Sequence, residues 1–154
     1  TKPPRVSISV RPTRHSYHLI KESGEFVINL PTEALVRAVD FCGMYTGAKV
    51  DKFKKCGLTA VDSTAVSCPS IAESALSLEC RVFDVIPLGS HDMIVADIKC
   101  VSVDESIIDE KGRLMLERAD LLAYCHGDYF TLGKKIGDFG FSVRKKKNLK
   151  RNRK

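Results

Sequence analysis

The chain has 154 residues, 44% hydrophobic and 29% charged, a balance that fits one soluble globular domain and excludes both a disordered segment and two ordinary domains. No apolar run reaches the roughly 20 residues of a spanning helix, and Thr1-Lys2-Pro3-Pro4 carries no signal-peptide core, so a cytoplasmic location is expected and a membrane partner is not. The net charge of +6 misleads, because eight of the 25 basic residues and none of the 19 acidic ones fall between Arg144 and Lys154, leaving the body at −2. Residues 1–143 therefore read as the folded domain and 144–154 as a basic, disordered tail.

Val6, Ile8 and Val10 alternate with polar neighbours, which predicts a half-buried strand that Pro12 ends. His15–Ser23 follows as a short helix, with Thr13 as N-cap and Gly24 as the stop. A second strand covers Glu25–Leu30, burying Phe26, Ile28 and Leu30. Pro31 and Thr32 open another helix, with Glu33 in its first turn and Leu35, Val36, Val39 and Cys42 along one stripe. Gly43–Val50 is expected as a loop, then Asp51 caps a one-turn helix, Lys52–Cys56, closed by Gly57. Leu58–Ala72 is irregular, with a short strand before Cys68-Pro69. The longest β signal is a hairpin with arms Ala75–Leu88 and Met93–Asp104 and its turn near Gly89-Ser90-His91. Ile94, Ala96, Ile98 and Cys100 share one face of the second arm, and Val95, Val101 and Val103 suggest cover on the other. Asp109–Gly112 is a turn, Met115–Tyr124 weakly helical, Asp128–Gly133 a last strand and Gly137–Val143 a closing segment.

This order excludes a helical bundle and a doubly wound sheet. It predicts a mainly β fold, an antiparallel β-barrel with short helices at its rim. The six cysteines, at 42, 56, 68, 80, 100 and 125, show no C-x-x-C or other zinc spacing, so reduced structural thiols and no metal are expected.

Three segments offer chemistry. In Arg11-Pro12-Thr13-Arg14-His15-Ser16, two guanidinium groups sit beside a predicted helix N-terminus, whose amides favour an anion. Thr46-Gly47-Ala48-Lys49-Val50-Asp51-Lys52 brings a hydroxyl, a glycine, two ammonium groups and another helix start, although it is no P-loop. Each also reads as a plain solvated loop; together they offer one phosphate a grip from two sides. His126, in Tyr124-Cys125-His126-Gly127-Asp128-Tyr129, has an aromatic and glycine setting suited to stacking or proton transfer, or to a structural role like that of His15, His18 and His91. Nucleophilic catalysis by Cys125 and His126 is disfavoured, since neighbours on a strand face opposite ways.

The sequence resembles the flavin reductase-like, FMN-binding split-barrel family, the flavoredoxin-type members above all. The resemblance runs colinearly over residues 3–145, through Ser7-Ile8-Ser9-Val10-Arg11-Pro12, Gly24-Glu25-Phe26-Val27-Ile28-Asn29-Leu30-Pro31, Asp40-Phe41-Cys42-Gly43, Thr46-Gly47, Asp51-Lys52-Phe53, Leu78-Glu79-Cys80, Gly89-Ser90-His91-Asp92, Tyr124-Cys125-His126-Gly127, Leu132-Gly133 and Gly140-Phe141-Ser142-Val143-Arg144. It implies a split β-barrel, a homodimer with FMN where the subunits meet, and electron transfer from NADH or NADPH to flavin, or through bound FMN to another acceptor such as a redox partner protein. It implies Arg11, Arg14 and Ser16 at the phosphate, Asn29 and Leu30 along the flavin, and contributions from Cys42, Gly43, Thr46, Gly47, Lys49, Lys52 and Phe53. His126 is the implied catalytic residue, near the ring or the nicotinamide.

Two features depart from the family pattern. Members carry an N-terminal strand pair, with an Asn-x-x-Thr-type flavin-contacting motif, ahead of the segment at Pro3-Pro4, and this chain does not show it. Members also carry serine and a basic residue around the Thr46-Gly47 motif, where this chain has Thr46 and Ala48, with Lys49 one position later. The rival within the class is a non-enzymatic FMN electron carrier. From other classes come a cofactor-free structural barrel and a nucleic-acid binder using the tail, the latter disfavoured by the body's charge and the lack of a recognised motif.

Overall fold

The alternating Val6, Ile8 and Val10 form the expected strand β1 (Arg5–Val10), which pairs antiparallel with β6 (Asp92–Val103). β6 pairs with β5 (Leu76–Pro87), and β5 with β2 (Glu25–Asn29), giving an antiparallel four-stranded sheet in the order β1-β6-β5-β2. The computed structural model describes residues 1–144; from Lys145 onward the expected tail lies outside the described residues. β5 and β6 are the two arms of the expected hairpin, closed by a bond from Leu88 N–H to His91 O (2.9 Å). The register shifts at Glu79/Cys80 and Val82/Asp84, and such irregularities bend long strands. At the second shift Phe83 is left without a ladder partner, and the Arg5 guanidinium stacks 3.5 Å from its ring centroid.

One face of the sheet carries the core. Phe26, Cys80, Ile94 and Ala96 are buried at its centre, with Ile8, Ile28, Leu78 and Val82 around them. α1 (His15–Ser23) lays Tyr17 and Ile20 on this face, and the Tyr17 hydroxyl donates to Asp92 (2.6 Å). Gly24 ends the helix at φ 70, a left-handed conformation that glycine adopts without cost. Nothing lies within 4 Å of a Cβ built there, so Gly24→Ala is expected to lower stability by about 1 kcal/mol through backbone strain alone, read by chemical denaturation.

Three local expectations are corrected and one is extended. Thr13 is not the cap of α1: the capping position is Arg14, and its side chain makes no capping bond. The helix α2 (Val36–Met44), entered through a 3-10 turn at Glu33–Leu35, runs through Gly43, which is unstrained there, so the following loop starts only at Tyr45. The short strand expected before Cys68-Pro69 is β3 (Ala60–Val61), and its partner β4 (Ser70–Ile71), not expected, follows that dipeptide. Met115–Tyr124 is not a helix. It holds one 3-10 turn, Leu116–Arg118, and then Asp120 adopts φ 46, which breaks the helical path and sends the chain into β7 (Leu122–Cys125). β7 pairs with β8 (Asp128–Thr131) as a separate ribbon.

The strands form the open four-stranded sheet and two short ribbons, with no closed ladder among the described residues. At the end of β2 a side chain takes the place of backbone pairing: Asn29 Oδ1 accepts from Ile71 N–H (3.1 Å) and from the Ser77 hydroxyl (2.8 Å). Beyond Asn29, Leu122 N–H donates to Pro31 O and Glu33 N–H to Asp120 O, tying the β7–β8 ribbon to the same edge.

The irregular stretch after α3 (Lys52–Cys56) is held by carboxylates rather than by a ladder. Glu79, 1% exposed on β5, accepts from Thr64 N–H (3.0 Å) and Ala65 N–H (2.5 Å). Glu73 accepts from Thr59 N–H. Glu25 accepts from Ser67 N–H and its hydroxyl, both at 2.8 Å, and pairs with Arg81. These contacts, the Ser67 amide first, lower the Glu25 carboxyl from 4.5 to about 2. A lowered folded-state value stabilises at pH above 4.5, and that contribution is lost as pH falls toward 2. Denaturation midpoints measured from pH 5 to pH 2 are expected to fall less steeply in Glu25→Gln than in the unmodified chain. Among the described residues no helix is long and apolar enough to cross a membrane.

Candidate functional site

A cavity of about 420 Å³ opens where the N-terminus of α1 faces the end of α2, the start of α3 and the loop between them. α1 begins without a side-chain cap; the Tyr17 N–H bonds Arg14 O (3.0 Å), and the His15 and Ser16 amides, at the positive end of the helix dipole, are left for an anion. Arg14 and Ser16 reach the cavity from this side, and Thr46, Gly47 and Lys52 from the other. Asp51 caps α3 by accepting from Lys54 N–H (3.1 Å), which orients the first turn that carries Lys52. The Lys52 ammonium donates to Cys42 O (2.7 Å), at the negative end of α2, and keeps its remaining protons for a ligand.

The charge balance is one-sided. Ion pairs among the described residues engage Arg5, Arg81, Lys99 and Arg144, so Arg14 and Lys52 are not neutralised by a carboxylate, and no acidic residue lines the cavity. The two walls approach closely: a Cβ on Gly47 would lie 3.3 Å from His15 Cδ2. A side chain at this position would press on the His15 ring, which would have to shift by a few tenths of an ångström.

Seven residues expected at a phosphate or flavin site therefore meet in one place: Arg14, Ser16, Cys42, Gly43, Thr46, Gly47 and Lys52. The others lie elsewhere. Arg11 is exposed one turn earlier and donates through Nε to His91 Nε2 (3.3 Å). Asn29 spends its amide oxygen inside the fold, and Leu30 N–H pairs with Leu76 O. Lys49 is exposed on the loop, its N–H bonded to Thr46 O, and the half-buried Phe53 belongs to α3. His126 occupies the tip of the β7–β8 ribbon, where it and Gly127 take φ 53 and 101, as a two-residue hairpin turn requires. The cavity also recruits His15, which the sequence suggested as structural, and Leu19 and Tyr45, for which it suggested no role in a site. A signal for Leu19 was present, because it stands one helical turn beyond His15 on the same face; Tyr45 carried none, since its position depends on where α2 ends.

The half-buried Cys42 thiol lies 4.0 Å from that of Cys56. Burial first, then the neighbouring thiol, push Cys42 above its ordinary range, with the Lys52 ammonium pulling the other way.

This chain is similar to known proteins along most of its length. It is 38% identical over 109 residues to an uncharacterised protein of Archaeoglobus fulgidus, a match that covers 71% of this chain and 62% of the relative; the chain thus spans under two thirds of that protein. Among solved structures it is similar to the flavoredoxin of Desulfovibrio vulgaris (Miyazaki F), with a TM-score of 0.86 and 28% identity, covering 93% of this chain and 78% of the other. The flavoredoxin of Methanosarcina acetivorans gives a TM-score of 0.82 and 27% identity, with 94% and 78% covered. The family description "Flavin reductase like domain" matches residues 1–133, every cavity-lining residue included, and the chain belongs to this flavin reductase-like, split-barrel family.

Proposed function

We propose that the chain binds FMN with its phosphate in the α1–α3 cavity and serves as a flavin reductase-type oxidoreductase. The observation that carries the reading is the cavity's donor set: uncapped amides of α1, Arg14, Lys52, and the Ser16 and Thr46 hydroxyls, with no carboxylate facing them. It suits a dianionic phosphate. Arg14 would grip the phosphate with its planar fork, Lys52 would add a point charge already oriented by Cys42 O, and Gly47 would keep the loop backbone within reach. When bound, FMN supplies hydride acceptance from NADH or NADPH and release of electrons singly or in pairs. We also propose a second copy of the chain as partner, supported by the apolar side chains Ile136, Phe139, Phe141 and Val143, which are exposed near the C-terminal end of the described residues.

A second reading, an FMN electron carrier without a nicotinamide site, is favoured by the position of His126 at a hairpin tip rather than in the cavity and by the similarity to flavoredoxins. One experiment separates them. The purified chain, loaded with FMN, is expected to show a flavin spectrum and to bleach on addition of NADH or NADPH under anaerobic conditions. A chain that takes up no FMN defeats both readings. One that binds FMN and is reduced by a ferredoxin-type protein but by neither nicotinamide is the carrier.

A further inference from the structure

We infer that Cys42 and Cys56 form a redox-active dithiol, which a small-molecule disulfide oxidises to an intrachain disulfide spanning the loop that frames the anion cavity. Cys42 stands in the last turn of α2 and Cys56 is the final residue of α3. Their sulfurs are in contact at 4.0 Å, so closing to a bond of about 2.05 Å needs only a small approach of two neighbouring helix ends. No other thiol pair hydrogen-bonds among the described residues. Cys80 is fully buried, its thiol pushed up to about 11, mainly by desolvation, and Cys125 is exposed near the tip of the β7–β8 ribbon.

The pair is also reachable, since Cys42 lines the cavity. Its thiolate attacks one sulfur of the disulfide R–S–S–R, forming a mixed disulfide and releasing the first thiol. Cys56 then attacks the Cys42 sulfur, the bond to the second R–S group breaks, and a second thiol leaves. Two protein thiols become one cystine, R–S–S–R becomes two R–SH, and the two thiol protons end on those products. The ring thus closed contains Thr46, Gly47 and Lys52, all cavity residues. Lys52 precedes Cys56 by four residues, on the same face of α3, and already ties this helix to Cys42 O. The disulfide adds a covalent link between α2 and α3, beside the Lys52–Cys42 O hydrogen bond that now joins them. The chemistry needs no flavin, so it stands or falls apart from the proposed function.

The test equilibrates the full-length chain in glutathione buffers of graded oxidised-to-reduced ratio, traps free thiols by alkylation and maps the peptides by mass spectrometry. A Cys42–Cys56 linkage is expected as the dominant disulfide of the folded protein, and amide exchange across residues 45–51 is expected to slow about tenfold on oxidation. Cys56→Ser is expected to stop at the mixed disulfide on Cys42, without slowed exchange. Persistence of both thiols across the series, or linkage through Cys68, Cys80, Cys100 or Cys125 instead, overturns the proposal. So does unchanged exchange in the linked form. The map is made on the unmodified chain, and a Cys56→Ser variant that folds poorly leaves it intact.

Discussion

Arg14→Ala is expected to raise the FMN dissociation constant by about 30-fold, the equivalent of about 2 kcal/mol for a charge-assisted contact to phosphate. The magnitude follows from the local balance. Arg14 stands at the start of an uncapped helix and lines the cavity across from Lys52, with no carboxylate there to compete for it, so its removal subtracts a donor that nothing else replaces. Arg14→Lys keeps the charge but loses the fork, and an intermediate loss is expected. Arg11→Ala supplies the contrast: its guanidinium points to His91 and it does not line the cavity, so its effect on affinity is expected to be several-fold smaller. Fluorescence titration of FMN decides the matter. Equal affinities for Arg14→Ala and the unmodified chain would remove the cavity from the phosphate role.

Glu79→Ala should be the most destabilising of the substitutions considered. The side chain is 1% exposed and receives two backbone amides, from Thr64 and Ala65. Truncation takes the acceptor from two backbone amides, of which Thr64 can turn to water and the half-buried Ala65 less readily, and it leaves a void at a buried position, for a combined loss of about 2–3 kcal/mol. Glu79→Gln retains an oxygen that accepts from one of the amides while its NH2 meets the other, so about half of that loss is expected. Urea denaturation gives both values. Because the tethered stretch includes Ser67, which bonds Glu25 at the sheet edge, the damage should reach the ordering of residues 62–68 before global unfolding, as faster amide exchange there. A Glu79→Ala loss below about 1 kcal/mol would show that the loop is held by other contacts.

Local patterns along the chain were enough to determine most elements. Alternation at Val6, Ile8 and Val10, the Gly24 and Gly57 stops, the Asp51 cap and the long hairpin all agree with the structure, since each depends on neighbours within a few residues. The colinear motifs likewise carry the family's signature in the sequence alone. The failures share a cause. Met115–Tyr124 has helical composition, but Asp120 at φ 46 stops it after one 3-10 turn and a docking contact to Pro31 starts a strand at Leu122, and docking is a tertiary event.

The site divides along the same line. Arg14, Ser16 and Lys52 announce themselves as an anion's donors by residue type and by position at helix starts. That Arg11 instead turns to His91, 80 residues away, and that Asn29 is consumed by Ile71 and Ser77, are outcomes of packing that no spacing encodes. The approach of Gly47 to His15 and the contact of Cys42 with Cys56 are of the same kind. Sequence by itself determined which residues are chemically able to hold a phosphate. Tertiary structure decided which of them face one cavity, because a hydrogen-bond partner far along the chain can claim a polar side chain as readily as a ligand can.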